Sequence, residues 1–147
     1  MGKFSKFGHT KLIRINGKMR SEHYCNLLQD NFLPNLQNLS PAGGYFQQDN
    51  APIHISRYFR RYFSKSNLQV LEWPPLSPDL NPIENVWGIM KQKLSQKQYS
   101  NFNELFANLE LIWEELMNDS ELISNLISSI NDRISLLIAN GGGPTEY

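Results

Sequence analysis

Apolar and polar positions follow two rhythms along this chain, and the switches between them predict its elements. From Phe4 to Ile15 nothing punctuates a helix, and Leu12, Ile13 and Ile15 ahead of Asn16-Gly17 read as a strand ending in a turn. Behind Ser21, a residue suited to cap a helix, Tyr24, Leu27, Leu28 and Phe32 recur at helical spacing until Pro34 stops them. Turn formers fill Asn38 to Gly44, and the run Tyr45-Phe46-Gln47-Gln48 then reads as a strand reaching a loop at Asp49-Asn50. Pro52 suits the first turn of a helix, whose apolar face is Ile55, Tyr58, Phe59, Tyr62 and Phe63. Leu68, Val70, Leu71 and Trp73 make the next short strand, ended by Pro74-Pro75 and followed by the loop Ser77 to Pro82.

Three helices follow. Ile83, Val86, Trp87, Met90 and Leu94 form the stripe of the first. Phe102, Leu105, Phe106, Leu109, Ile112, Trp113 and Leu116 form the second, and Ile123, Leu126, Ile127, Ile130, Ile134 and Leu137 the third. Strands alternating with helices predict an α/β layered fold, with one domain over residues 1–140 and a loose tail over 141–147. No internal repeat interrupts it.

Composition adds bounds rather than identity. The 147 residues, 40% hydrophobic and 12% aromatic, suffice for a real core. Fourteen basic residues balance fourteen acidic ones, so no long-range field draws in a polyanion, and any nucleic-acid contact must come from local patches. The single cysteine, Cys25, has no internal disulfide partner, and no apolar stretch reads as a signal peptide or membrane span. These features predict a reducing intracellular compartment. The sequons at Asn38 and Asn118 are accordingly read as chance matches.

The candidate chemistry rests on two carboxylates. Asp49 ends a strand, and Glu84 stands in the first turn of the helix that follows the next strand. Such a fold can bring both to one edge of a sheet, where hard oxygen ligands suit Mg²⁺ and a pair of ions can drive phosphodiester chemistry. A plainer reading stays open on spacing alone: an Asp ahead of a helix serves as a cap, and a first-turn Glu answers the helix dipole. Glu84, Gly88 and Lys91 share the flank of their helix's apolar stripe, where Gly88 leaves room and Lys91 can meet a phosphate.

Two longer blocks carry more. Phe46-Gln47-Gln48-Asp49-Asn50-Ala51-Pro52-Ile53-His54 resembles the first signature block of Tc/mariner-type DNA transposases. The stretch Trp73-Pro74-Pro75-Leu76-Ser77-Pro78-Asp79-Leu80-Asn81-Pro82-Ile83-Glu84-Asn85-Val86-Trp87-Gly88 resembles the second. The 34 residues between Asp49 and Glu84 match the spacing of the Tc branch, and the segment from Ile130 through Arg133 and Ile138 to Thr145-Glu146-Tyr147 is similar to the family's C-terminus. The resemblance implies an RNase H-like domain with C-terminal helices. In it Asp49 and Glu84 are the second and third members of an Asp-Asp-Glu triad that binds Mg²⁺ or Mn²⁺ for DNA cleavage and strand transfer.

In the family the first aspartate lies on the central first strand, which the resemblance places upstream of Met1, with the helix-turn-helix modules further upstream. The expected domain is therefore incomplete. Glu22 and Asp30, the only carboxylates before Asp49, fall in the first predicted helix and are not expected to substitute. The resemblance further implies DNA as partner (transposon ends and target), a homo-oligomer, no membrane and a nuclear location.

Weaker candidates for DNA contact are His54, Arg57, Arg60, Arg61 and Lys91, although a first-turn histidine and a charged helix face also serve as plain solvated surface. Asp79 and Asn81 suit the shaping of the Pro-rich loop, and Trp73 and Trp87 suit the core. A contrasting expectation is a catalytically inactive transposon remnant, or a recruited DNA- or protein-binding module.

Overall fold

The computed structural model describes residues 1–66, 68–72 and 80–141. The chain divides into two compact units, Met1–Ser77 and Pro78–Tyr147. The first unit holds every described strand.

It opens on a hairpin, β1 (Phe4–Ser5) against β2 (Gly8–His9), with Ser5 opposite Gly8 across a two-residue turn. The strand expected over Phe4 to Ile15 does not run unbroken: it folds back on itself at Lys6-Phe7, and Leu12 to Ile15 carry no strand. The Ser5 hydroxyl accepts the Phe7 N–H at 3.0 Å and closes the turn locally. Beyond His9 the ladder thins to isolated bonds such as Ile13 N–H to the Met1 carbonyl, and Ile15 is exposed.

Helix α1 (Ser21–Asn31) buries Tyr24, Cys25 and Leu28, largely the expected stripe. Ser21 is its first helical residue and not its cap; the preceding Arg20 is extended and offers no side-chain acceptor. Pro34 does not mark the stop. The helix has already ended, and Pro34 enters the first turn of a 3-10 segment (Leu33–Asn35), where its missing N–H costs nothing. The short α2 (Leu36–Leu39) and the turn at Gly43, at φ 78°, lead into β3 (Tyr45–Phe46).

Strand β3 pairs in parallel with β4 (Gln69–Val70), Tyr45 beside Gln69 and Phe46 beside Val70. Parallel neighbours need a crossover, and α3 (Arg57–Phe63) supplies it. This helix starts five residues later than Pro52 suggested. Residues 52–54 form a turn instead, and Ser56 caps the helix by accepting the Phe59 N–H at 3.1 Å. The late start leaves Ile55 and Tyr58 exposed, so Phe59 and Phe63 carry the burial. They join Tyr24, Cys25, Leu28, Phe32, Leu39 and Phe46 in one aromatic-rich core.

The second unit is three helices, α4 (Pro82–Leu94), α5 (Phe102–Asn118) and α6 (Ser120–Ala139), each packed on the other two. Val86, Met90 and Trp113 are fully enclosed, and Trp87 stacks on Trp113 at 5.6 Å between ring centroids, a core role as expected. Side-chain caps start the later pair: Asn101 accepts from Glu104 N–H, and Asp119 from Leu122 N–H. Two stripe positions depart from expectation, since Phe102 and Ile134 are exposed while the charged Arg133 is buried. Trp73, Asp79 and the tail from residue 142 lie outside the described residues, as does the first part of the second signature block, residues 73–79.

Candidate functional site

Asp49 stands three residues beyond β3, in the segment that turns back towards α3. Its carboxylate is held at one oxygen. Oδ1 accepts the Ala51 N–H at 3.1 Å, an Asx-type turn, and meets His54 Nδ1 at 2.5 Å. The backbone turn from Ala51 to His54, with the His54 N–H on the Ala51 carbonyl at 2.8 Å, brings the imidazole back over the aspartate. The Asp49 side chain is 59% exposed, whereas that of His54 is only 16% exposed.

Behind the imidazole lies a buried polar chain. The Tyr24 ring rests against that of His54, with centroids 4.3 Å apart, and its hydroxyl donates to Gln48 Oε1 at 2.8 Å. Gln48 Nε2 donates in turn to the His54 carbonyl at 3.2 Å. Tyr24 and Gln48 are both buried, and each hydrogen bond answers a polar group that would otherwise be stranded. Burial pushes the Tyr24 hydroxyl well above its usual range, with the Asp49 charge adding to it, so the phenol stays a donor. Burial also lowers His54, against the opposing pull of its Asp49 hydrogen bond. A neutral imidazole with Nδ1–H directed at the carboxylate fits that balance.

Lys3 completes the surroundings. Its ammonium lies 4.7 Å from the Phe46 ring centroid and 6.0 Å from that of Tyr24. Burial lowers its pKa to about 8, and the Asp49 charge partly offsets this. Asp49, His54 and Arg60 also line a cleft of about 550 Å³, floored by Phe59, Phe63 and Leu68, with Glu72 on its rim.

Glu84 belongs to the second unit. It occupies the first turn of α4 behind Asn81 and Pro82, and it is exposed, as are Gly88 and Lys91 on the same flank. A Cβ at Gly88 would meet nothing within 4 Å, so the glycine leaves open space as expected. The neighbouring Asn85 faces inward instead, where its Oδ1 accepts from Arg133 Nη1 at 2.7 Å. Asn81 makes no side-chain cap. Arg57, Arg60 and Arg61 are all exposed on α3, and of the three only Arg60 lines the cleft beside Asp49.

The sequence reading named Asp49 and His54 as candidates but not the groups packed against them. Tyr24 counted as one more position of an apolar stripe, and Lys3 carried no pattern. Gln48 sat inside the first signature block, which was the one available signal. Among the described residues no three His, Cys, Asp or Glu side chains gather as a metal cage. The fit to a divalent cation rests on Asp49 itself, whose Oδ2 receives no hydrogen bond among the described residues and whose carboxylate is a hard, accessible donor.

Comparison with known proteins bears on the family and the fold. The transposable element Tc3 transposase of Caenorhabditis elegans is 33% identical over 148 residues, a match covering 99% of this chain and 44% of that protein. The chain spans about half the length of the curated relatives it matches. Among solved structures, the catalytic domain of Mos1 mariner transposase superposes with a TM-score of 0.76 at 22% identity, over 96% of this chain and 72% of that one. The Mos1 mariner paired end complex with Mn superposes at 0.82, again at 22% identity, over 97% of this chain and 43% of that one. The expected RNase H-like fold is thus the fold observed. The model of the DDE superfamily endonuclease family matches residues 2–106, well over half the chain, and this protein belongs to that family.

Proposed function

We propose that the chain forms part of the catalytic core of a cut-and-paste DNA transposase, with Asp49 and Glu84 as two carboxylate ligands of its Mg²⁺ or Mn²⁺. The observation that carries this reading is the Asp49 corner, an exposed carboxylate held at one oxygen by its own loop within a fold of this family. When bound, the cation activates the attacking oxygen and stabilises the leaving one in phosphodiester hydrolysis and strand transfer. The chain's own residues orient and neutralise: Asp49 and Glu84 supply oxygen donors, while Arg57, Arg60, Arg61 and Lys91 offer exposed positive charge to phosphates. DNA as substrate agrees with the paired end complex in the Mos1 comparison. Assembly of two or more copies on the DNA and work in the nucleus complete the proposal.

Mn²⁺ titration followed by calorimetry tests it on wild type, Asp49→Ala and Glu84→Ala. Two carboxylates hold a cation weakly, so binding is expected in the range of tens of micromolar or weaker, and each substitution is expected to reduce it at least fivefold. Titrations indistinguishable from wild type for both variants would remove the site. Because no three His, Cys, Asp or Glu side chains gather among the described residues, cleavage of terminal-repeat DNA by this chain alone is expected to be undetectable. Product that disappears with Glu84→Ala would show the chain to be catalytically complete and would favour the enzyme over a binding-only module.

A further inference from the structure

We infer that His54 is a positioning residue for Asp49: its Nδ1–H, together with the Ala51 N–H, ties down Oδ1 and turns Oδ2 outward as the atom that meets a cation. The inference rests on the proposed role of Asp49 and adds how its carboxylate is aimed.

The geometry is specific to one oxygen. Both donors converge on Oδ1, from Ala51 N at 3.1 Å and His54 Nδ1 at 2.5 Å. A carboxylate with a saturated Oδ1 cannot rotate about its Cβ–Cγ bond without breaking both contacts. The two oxygens therefore become inequivalent, which favours ligation through a single oxygen. A short Asx turn alone would leave the side chain on one weak, exposed contact. The imidazole adds a donor from a group that is itself anchored, because the ring leans on Tyr24 and the His54 carbonyl is held by Gln48 at 3.2 Å. Gln48 is held in turn by the Tyr24 hydroxyl at 2.8 Å. The route from α1 to Asp49 is thus continuous, and the helix that builds the core also fixes the direction of the carboxylate. With Nδ1 committed to Asp49, His54 serves as a tether for the carboxylate.

Two measurements test this. Long-range ¹H–¹⁵N NMR of the imidazoles in the folded chain is expected to show His54 protonated at Nδ1; an unprotonated Nδ1 would overturn the inference without any substitution. Mn²⁺ affinity is then compared among wild type, Asp49→Ala, His54→Ala, His54→Gln and His54→Asn, each first shown to keep the wild-type thermal unfolding profile. Asparagine places an amide donor near the position of Nδ1, whereas glutamine places it near Nε2. His54→Ala and His54→Gln are expected to weaken Mn²⁺ binding about tenfold or more, the range seen when a metal ligand loses its hydrogen-bonding partner. His54→Asn is expected to stay within about threefold of wild type.

Failures are separable. If Asp49→Ala binds as wild type does, the metal reading of Asp49 fails. If Asp49→Ala loses binding while His54→Ala keeps it, positioning fails and the metal reading stands. If His54→Asn falls as far as His54→Ala, the imidazole acts as a ligand or a packing element, and the tether is wrong.

Discussion

Lys3 shows how a single side chain can tie the stability of this fold to pH. Its ammonium is packed against Phe46 and Tyr24, and burial brings its pKa down to about 8 from the ordinary 10.5. Between those two values the unfolded chain holds a proton that the folded chain has released. Stability from this group must therefore rise with pH across that window, by at most about 1.4 kcal/mol per pH unit. Tyr24 works in the opposite direction, because its raised pKa means the unfolded chain loses its proton first, above about 10. The usable window is thus pH 8 to 10. Urea unfolding there is expected to show a midpoint that climbs with pH in wild type and is flatter in Lys3→Met. Parallel slopes in the two proteins would mean that Lys3 is solvated and that its burial has no energetic consequence. At the same scale the Asp49 carboxylate takes both of its donors on one oxygen, Oδ1.

Elements in the second unit are tied together by a polar contact in an apolar setting. Arg133 replaces what the helical period would place at the edge of the α6 stripe, and it is buried with Nη1 on Asn85 of α4 at 2.7 Å. A buried charged donor contributes more than a surface one, and its removal leaves both a void and a stranded acceptor. Arg133→Ala is expected to destabilise the helical unit by about 2–4 kcal/mol. Near-UV circular dichroism during urea unfolding reads this through the stacked pair Trp87 and Trp113. A loss under about 0.5 kcal/mol would place Arg133 among ordinary surface substitutions. Because Asn85 follows Glu84 directly, the same variant also tests the proposed role of Glu84, under which loosening the first turn of α4 is expected to weaken Mn²⁺ binding.

For the whole molecule, charge is balanced, and this constrains the proposed engagement of DNA. With no net field, affinity must come from local contacts, and each phosphate contact contributes about 0.9 to the slope of log K against log salt. The exposed arginines of α3 are the densest described cluster on one short element. Replacing Arg57, Arg60 and Arg61 together with glutamine is expected to lower that slope by about two to three for duplex DNA. An unchanged slope, measured by fluorescence anisotropy between low and physiological salt, would remove α3 from the DNA-facing surface and leave its arginines as solvated charge. The crossover α3 that buries Phe59 and Phe63 inward leaves the arginines exposed, and of the three Arg60 lines the cleft beside Asp49.

Periodicity alone determined that β3, α3 and β4 would follow one another and that three amphipathic helices would close the chain, because burial of one face is a local, repeating demand. The two signature blocks determined Asp49 and Glu84 as the candidates, since residue type and spacing are written directly in the chain. Tertiary structure decided the rest. Pro52 suggested the start of α3, but the turn from Ala51 to His54 delays it to Arg57, behind the Ser56 cap. Phe4 to His9 formed a hairpin in place of one strand running on to Ile15, because its turn closes on a local Ser5 contact. Tyr24 looked like core and is core, yet its hydroxyl reaches Gln48 across 24 residues, a meeting that no local pattern records. The burial of Arg133 likewise depends on Asn85, 48 residues away. A hydrophobic rhythm states which side of an element faces inward; which polar atoms then find each other is settled only when the elements pack.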